Sequence, residues 1–228
     1  MSKKAVCLLS GGIDSCVSAF IAKKKGYELY ALSFNYKQKH KKEIDSAKKI
    51  GFDLSVKNHI IFNLDLDKFG KSSLTDLNLI PEKDHDLKHI GKTIPSTYVP
   101  ARNTIFLSIA LAYAESIDAD AIFIGVTSTD YSGYPDCRPE FINAFQKLAD
   151  LATKKGVEEK KIMIKAPLLK LSKSEIIKKG IELDAPLEKT WSCYLGRDLA
   201  CGRCDSCLLR LKGFKDLGMT DPLKYESL

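Results

Sequence analysis

No run of apolar residues in this 228-residue chain approaches the roughly 18 that a membrane-spanning helix needs. The opening residues, MSKK, lead directly into a short strand-like segment and not into an apolar leader, so the expectation is a cytoplasmic protein with no membrane partner. Internal repeats and low-complexity tracts are also missing, which argues against solenoids and disordered arrays. Neither GxxxxGK[ST] nor GxGxxG occurs, so nucleotide binding cannot rest on those two phosphate motifs. Histidine is scarce: His40 and His59 read as surface or hydrogen-bonded residues, and His85 and His89 lie among charges with no cysteine near to share a metal.

What the chain does contain is an ordinary mixture, 44% hydrophobic and 29% charged, enough for one large α/β domain. The formal charge of +7 suits RNA, ATP or another polyanion, but much of it lies in scattered lysine pairs of the kind that solvate helix faces.

Along the chain, residues 5–9 (AVCLL) suit a buried parallel strand, and Ile13, Val17, Phe20 and Ile21 then recur at helical spacing to Lys25. Residues 29–34 read as a second strand, a helix with Ile44, Ala47 and Ile50 on one face follows, and residues 54–62 give a third strand. This βαβαβ order implies right-handed crossovers and a parallel sheet. Residues 69–100 are polar and too long for a routine connector, which suggests a lid, a binding loop or a flexible segment. Residues 102–117 are apolar almost all round, as for a helix buried on both sides, and residues 121–126 are a fourth strand. Phe141, Phe145, Leu148 and Leu151 mark the next helix, residues 161–166 the fifth strand, and the Ser172 to Glu175 spacing is a capping box that opens one more helix. The expected fold is a doubly wound five-stranded parallel sheet over residues 1–186, with a small zinc-binding subdomain at 187–228.

LLSGGIDSCV (residues 8–17) places two glycines between the first strand and the first helix. They serve either a tight turn or a backbone that a ligand approaches closely. In a doubly wound sheet that turn lies where ligands bind. Bare N–H groups at Gly11 and Gly12, the hydroxyls of Ser10 and Ser15, and the positive helix end together suit a phosphate. Asp14 would repel phosphates unless a Mg²⁺ bound with ATP reconciled them. SGGIDS resembles the SGGxDS loop of the PP-loop ATP pyrophosphatases, adenine nucleotide alpha hydrolase-like enzymes that split ATP into AMP and pyrophosphate.

Seven cysteines divide unevenly: Cys7 and Cys16 read as core, Cys137 stands alone in a loop, and Cys193, Cys201, Cys204 and Cys207 cluster. Four thiolates with short spacers suit one closed structural zinc per chain better than an iron–sulfur cluster or a redox pair. The ion would hold a segment too short to build its own core. Residues 125–140 (GVTSTDYSGYPDCRPE) form the other lip of the crevice, able to stack on a flat ring and pair with a carboxylate. Turn chemistry explains Tyr131, Tyr134 and Asp136 equally well. Cys137, with no histidine nearby to activate it, reads as nucleophile, as packing or as a substrate contact.

SGGIDS, SFNYKQKH (33–40), TYVPARN (97–103), SGYPDCR (132–138), and TWSC (190–193) followed by CGRCDSC (201–207), all in this order, make the chain resemble the 7-cyano-7-deazaguanine synthases. That resemblance implies a homodimeric ligase with a structural zinc. It would convert 7-carboxy-7-deazaguanine, ATP and ammonia to the nitrile through acyl-adenylate and amide intermediates, using two ATP, in queuosine-type biosynthesis. With no glutaminase domain in this length, the donor would be free ammonia. Carried over by motif, Leu9, Ser10, Gly11, Gly12, Ile13, Asp14, Ser15, Cys16, Val17, Ser18 and Ala19 would hold ATP. Arg102, Asn103, Tyr134, Asp136 and Arg138 would meet the substrate, the candidates for catalysis being Asp14, Asp136, Cys137 and Arg138. The chain departs from the family where Lys37 and Lys39 replace Gly and Arg, and where Cys16 replaces Thr; lysine keeps the charge but not the forked geometry. Competing readings are a PP-loop enzyme that adenylates and modifies tRNA, and a nucleic-acid-binding zinc module.

Overall fold

The computed structural model describes residues 2–38, 41–70, 72–76, 78–79, 94–127 and 134–226. His40, His85, His89, Lys39 and Tyr131 therefore lie outside the described residues. Five parallel strands, β1 (Lys4–Leu8), β2 (Glu28–Asn35), β3 (Asn58–Asn63), β4 (Ala121–Phe123) and β5 (Met163–Lys165), form one sheet in the order β3-β2-β1-β4-β5. Every neighbouring pair runs parallel, as the alternation of strands and helices requires.

The helices are α1 (Ile13–Lys24), α2 (Lys42–Leu54), α3 (Arg102–Ser116), α4 (Pro139–Ala152), the single turn α5 (Lys154–Val157), α6 (Lys173–Glu182) and α7 (Asp205–Asp216). Alternation along β1 builds two cores. Ala5, Cys7 and Leu9 pack with residues of α1, α2 and α6, while Val6 and Leu8 pack with residues of α3 and α4. The winding direction reverses between β1 and β4, and that gap opens at the carboxyl ends of the strands. Ser172 caps α6 through the expected capping box with Glu175.

Three expectations about elements change. The third strand begins at Asn58, because α2 runs through Leu54 and ends on Ser55 in the left-handed conformation. Only one side of α3 is covered: Leu107, Ala110, Leu111 and Ala114 are buried, but Ile105, Phe106, Ile109 and Tyr113 are only partly so. On α4 the buried stripe is Ile142, Phe145 and Ala149, which turns Leu148 and Leu151 outward, the latter to 81% exposure.

The C-terminal segment is stitched to the main domain. α7 packs on α6, the Trp191 N–H donates to Gly11 O at 2.9 Å, and the Lys42 ammonium sits 4.6 Å from the centre of the Trp191 ring.

Candidate active site

A cavity of about 290 Å³ occupies the crevice. Its floor is the glycine turn and the ends of β1, β2 and β4; its walls come from the first turns of α2, α3 and α6 and from residues 191–194. Leu9, Ser10, Gly12, Ile13, Asp14 and Ser15 line it, whereas Cys16, Val17, Ser18 and Ala19 are buried in the core behind, where they anchor α1.

The two glycines do different work. A Cβ on Gly11 would lie 2.1 Å from the Glu43 carbonyl oxygen, and its φ of +90° is itself unfavourable for other residues, so Gly11 lets the turn sit on the first turn of α2. At Gly12 a Cβ would meet nothing closer than 3.6 Å, and this residue faces the cavity. Ser15 Oγ holds the loop shut, accepting from Ser10 N at 3.1 Å and donating to Gly12 O at 3.0 Å. Gly125 supplies a further close approach, since its Cβ would lie 2.7 Å from Ser15 N, and so the end of β4 abuts the amino end of α1. Unsatisfied N–H groups in that first turn make an anion site.

Asp14 is reconciled with phosphate by a lysine. Both its carboxylate oxygens accept from Lys173 Nζ, at 2.6 and 2.8 Å. Lys173 opens α6 and lies 159 positions away in the chain, so no local pattern could pair them.

The third and fourth family-like motifs clasp one another. The Asn103 backbone N–H donates to Asp136 Oδ2 at 2.9 Å, capping the first turn of α3, and Asn103 Nδ2 donates to Asp136 O and to Cys137 Sγ at 3.1 and 3.3 Å. Tyr134 and Thr97 join hydroxyls at 2.8 Å. This clasp brings Arg102, Asn103, Tyr134 and Cys137 to the cavity wall; Asp136 is buried behind it, and Arg138 is exposed at the start of α4, off the cavity. Burial, reinforced by Asp136, pushes the Cys137 thiol up to about 12, so it keeps its proton at neutral pH. His59 Nε2 lies 2.8 Å from Ser33 Oγ, which fits the hydrogen-bonded reading.

Opposite the turn stands an aromatic wall: Phe34 and Phe106 stack at 3.9 Å, and Tyr36 tilts against Phe106 at 5.7 Å. The Arg102 guanidinium lies 5.9 Å from the centres of both Tyr36 and Phe106. Sequence pattern alone missed Lys173, Glu43 and Phe106, while Gly125 and Tyr36 stood inside the segments 125–140 and 33–40 without a role of their own.

The Sγ atoms of Cys193, Cys201, Cys204 and Cys207 lie within 4.8 Å of one another, all buried. Tetrahedral thiolates about 2.3 Å from a zinc would stand about 3.8 Å apart. Backbone N–H groups already point at the sulfurs: Cys201 N donates to Cys193 Sγ at 3.4 Å, and Cys204 N to Cys201 Sγ at 3.3 Å. The hydrogen bonds among Cys193, Cys204 and Cys207 hold the first thiol well below its ordinary range and push the other two up, so binding a metal there would have to displace the protons the three share. The donor set fits a closed metal site.

Residues 4–218 match the family described as queuosine biosynthesis protein QueC. A 7-cyano-7-deazaguanine synthase of Trichodesmium erythraeum is 54% identical over 220 residues, covering 96% of this chain and 99% of that one. Another of that name, from Thermoplasma volcanium, is 53% identical over 225 residues, covering 99% and 92%. Among solved structures, an NH3-dependent NAD synthetase from Campylobacter jejuni is similar with a TM-score of 0.47 and 21% identity, over 82% of this chain and 66% of that one.

Proposed function

The chain belongs to the QueC family of queuosine biosynthesis proteins, and from that premise we propose that its cavity turns 7-carboxy-7-deazaguanine, ammonia and ATP into 7-cyano-7-deazaguanine. What carries the reading is one cavity lined both by the glycine turn and by Arg102, Tyr134 and the aromatic wall. A polyphosphate fits the first surface, and a flat ring bearing a carboxylate fits the second.

A carboxylate is a poor electrophile, so its oxygen first attacks the α-phosphorus of ATP and pyrophosphate leaves. The amino end of α1 and Lys173 oppose the charge that gathers on the departing pyrophosphate. Arg102 orients the substrate carboxylate, and the clasp of Asn103 on Asp136 and Cys137 holds Arg102 at the start of α3. Ammonia then attacks the acyl carbon and AMP departs. A second ATP activates the amide oxygen, and loss of AMP with a proton leaves the nitrile.

Magnesium is expected to arrive with ATP; each Asp14 oxygen accepts one bond from Lys173 and keeps a lone pair that could face that ion beside the phosphates. Zinc would be held by Cys193, Cys201, Cys204 and Cys207 in a structural role, with no position open to substrate. A cytoplasmic homodimer completes the proposal, its oligomeric state to be read by light scattering. Neither rival reading is favoured: all four clustered thiols converge on one closed site, and Cys137 is held protonated, which leaves no cysteine pair for sulfur transfer to tRNA.

Purified protein given ATP, Mg²⁺, ammonium and the carboxy-deazaguanine should release AMP and form the nitrile, by chromatography and mass spectrometry. ADP as product, or ATP cleavage only with tRNA, would refute the proposal.

A further inference from the structure

Nitrogen enters this reaction as ammonia with three hydrogens and leaves as a nitrile with none, so the cavity must present a proton acceptor to it. The carboxylates that line it among the described residues are Asp14 and Glu43. Asp14 is bound through both oxygens to Lys173 Nζ. Cys137, at about 12, and Tyr36, at about 12 through burial, hold their protons too tightly to accept another near neutral pH. We propose that Glu43, in the first turn of α2, is the base that takes the proton from the attacking nitrogen. The proposal rests on the functional reading above.

The placement is enforced by the backbone. Gly11 packs on the Glu43 carbonyl, so the glycine turn and the Glu43 side chain border the same space, and the Glu43 carboxylate has no hydrogen-bond or ion-pair partner among the described residues. Burial pushes its carboxyl up to about 7, opposed by Arg102 of α3 and assisted by Cys193 of the C-terminal segment; Lys42, beside it on α2, turns its ammonium to Trp191. A base that titrates near the working pH transfers protons most effectively. In amide formation the C–N bond forms as the C–O bond to AMP breaks, AMP leaves with the electron pair, and the extra proton on nitrogen passes to Glu43. In the second half the amide oxygen attacks the α-phosphorus of the second ATP, pyrophosphate leaves, and one N–H proton is lost to solvent as the O-adenylyl imidate forms. Glu43, having returned its first proton to solvent, takes the remaining N–H proton, whose electron pair completes the C≡N bond as AMP leaves again.

The test is Glu43→Gln, assayed by substrate-dependent ATP–pyrophosphate exchange and by amide and nitrile formation at a fixed concentration of free ammonia. Exchange should stay within about threefold of wild type while amide formation falls by about 10²–10⁴, the usual worth of a positioned base. Glu43→Asp should restore part of the rate, and the acidic limb of the wild-type profile should vanish in Glu43→Gln. Amide formation within threefold of wild type, or exchange falling in parallel with it as a purely structural residue would cause, overturns the proposal. Should Glu43→Gln not fold, a wild-type profile flat between about pH 6 and 8 overturns it. Wild-type enzyme that makes no nitrile overturns the functional reading, and this inference with it.

Discussion

Arg210 ties the cysteine-rich segment to the nucleotide turn, and its removal should cost more stability than most substitutions in the chain. The side chain is 1% exposed. Nε and Nη2 bind the two oxygens of Asp221 at 2.7 and 2.9 Å, Nη1 donates to Thr190 Oγ1 at 2.7 Å, and Nη2 also donates to Leu187 O at 3.1 Å. Arg210→Met keeps the aliphatic stem but leaves Asp221 buried beside only the Tyr225 hydroxyl and the Leu223 N–H; Thr190 Oγ1 loses its Arg210 donor, while Leu187 O keeps the Thr190 hydroxyl. Breaking one partner of a buried pair costs about 3–5 kcal/mol, and the surviving bonds to Asp221 place this case near 4. For a chain of this size that lowers Tm by roughly 8–16 °C. Thr190 precedes Trp191, whose N–H holds Gly11 O, so pyrophosphate exchange should weaken even well below the new Tm. Denaturant unfolding at fixed zinc gives the energy, and Arg210→Met with Asp221→Leu should recover at least about 2 kcal/mol of it. A loss under about 1 kcal/mol, or a double variant as unstable as the sum of the singles, refutes the reasoning.

Gly11→Ala should unfold more readily and abolish pyrophosphate exchange, because its Cβ meets backbone at 2.1 Å, whereas Gly12→Ala should fold normally and lose exchange alone; circular dichroism melts beside the exchange assay separate them. Stripping the metal with a strong chelator should red-shift the emission of Trp191, the one tryptophan, whose ring N–H binds Cys193 O at 2.9 Å, and exchange should fall in step with zinc content. Glu43 should also leave a mark on stability. Its carboxyl titrates at about 7 when folded against 4.5 ordinarily, so between these values the folded state holds more protons than the unfolded one. Stability therefore falls as pH rises through that window, by an amount on the order of 1–3 kcal/mol, and stays lowered above it. Glu43→Gln should be the more stable protein at pH 8 and lose the advantage at pH 4.

Local pattern reaches as far as local physics does. The strand, glycine turn and α1 follow one another between Lys4 and Lys24, and each is dictated by its own side chains, so an apolar run and a helical period suffice to read them. The cysteine cluster and the Ser172 capping box are legible for the same reason. Periodicity, however, names a face without naming what lies opposite. The apolar girth of residues 102–117 does not say that only one side of α3 meets the sheet, and an acidic residue in the first turn of α2 is common on any helix, so nothing in KEID marks Glu43 as facing a cavity. Asp136 stands in one of the segments that carry the resemblance, but its carboxylate caps α3 across 33 positions, a use that residue type alone could not separate from substrate contact. Gly11 and Gly12 put the same limit most plainly: identical neighbours in the chain, one emptied of a side chain by α2 and the other bare toward the cavity. Only the position of α2, set by the packing of Ile44, Ala47 and Ile50, distinguishes them.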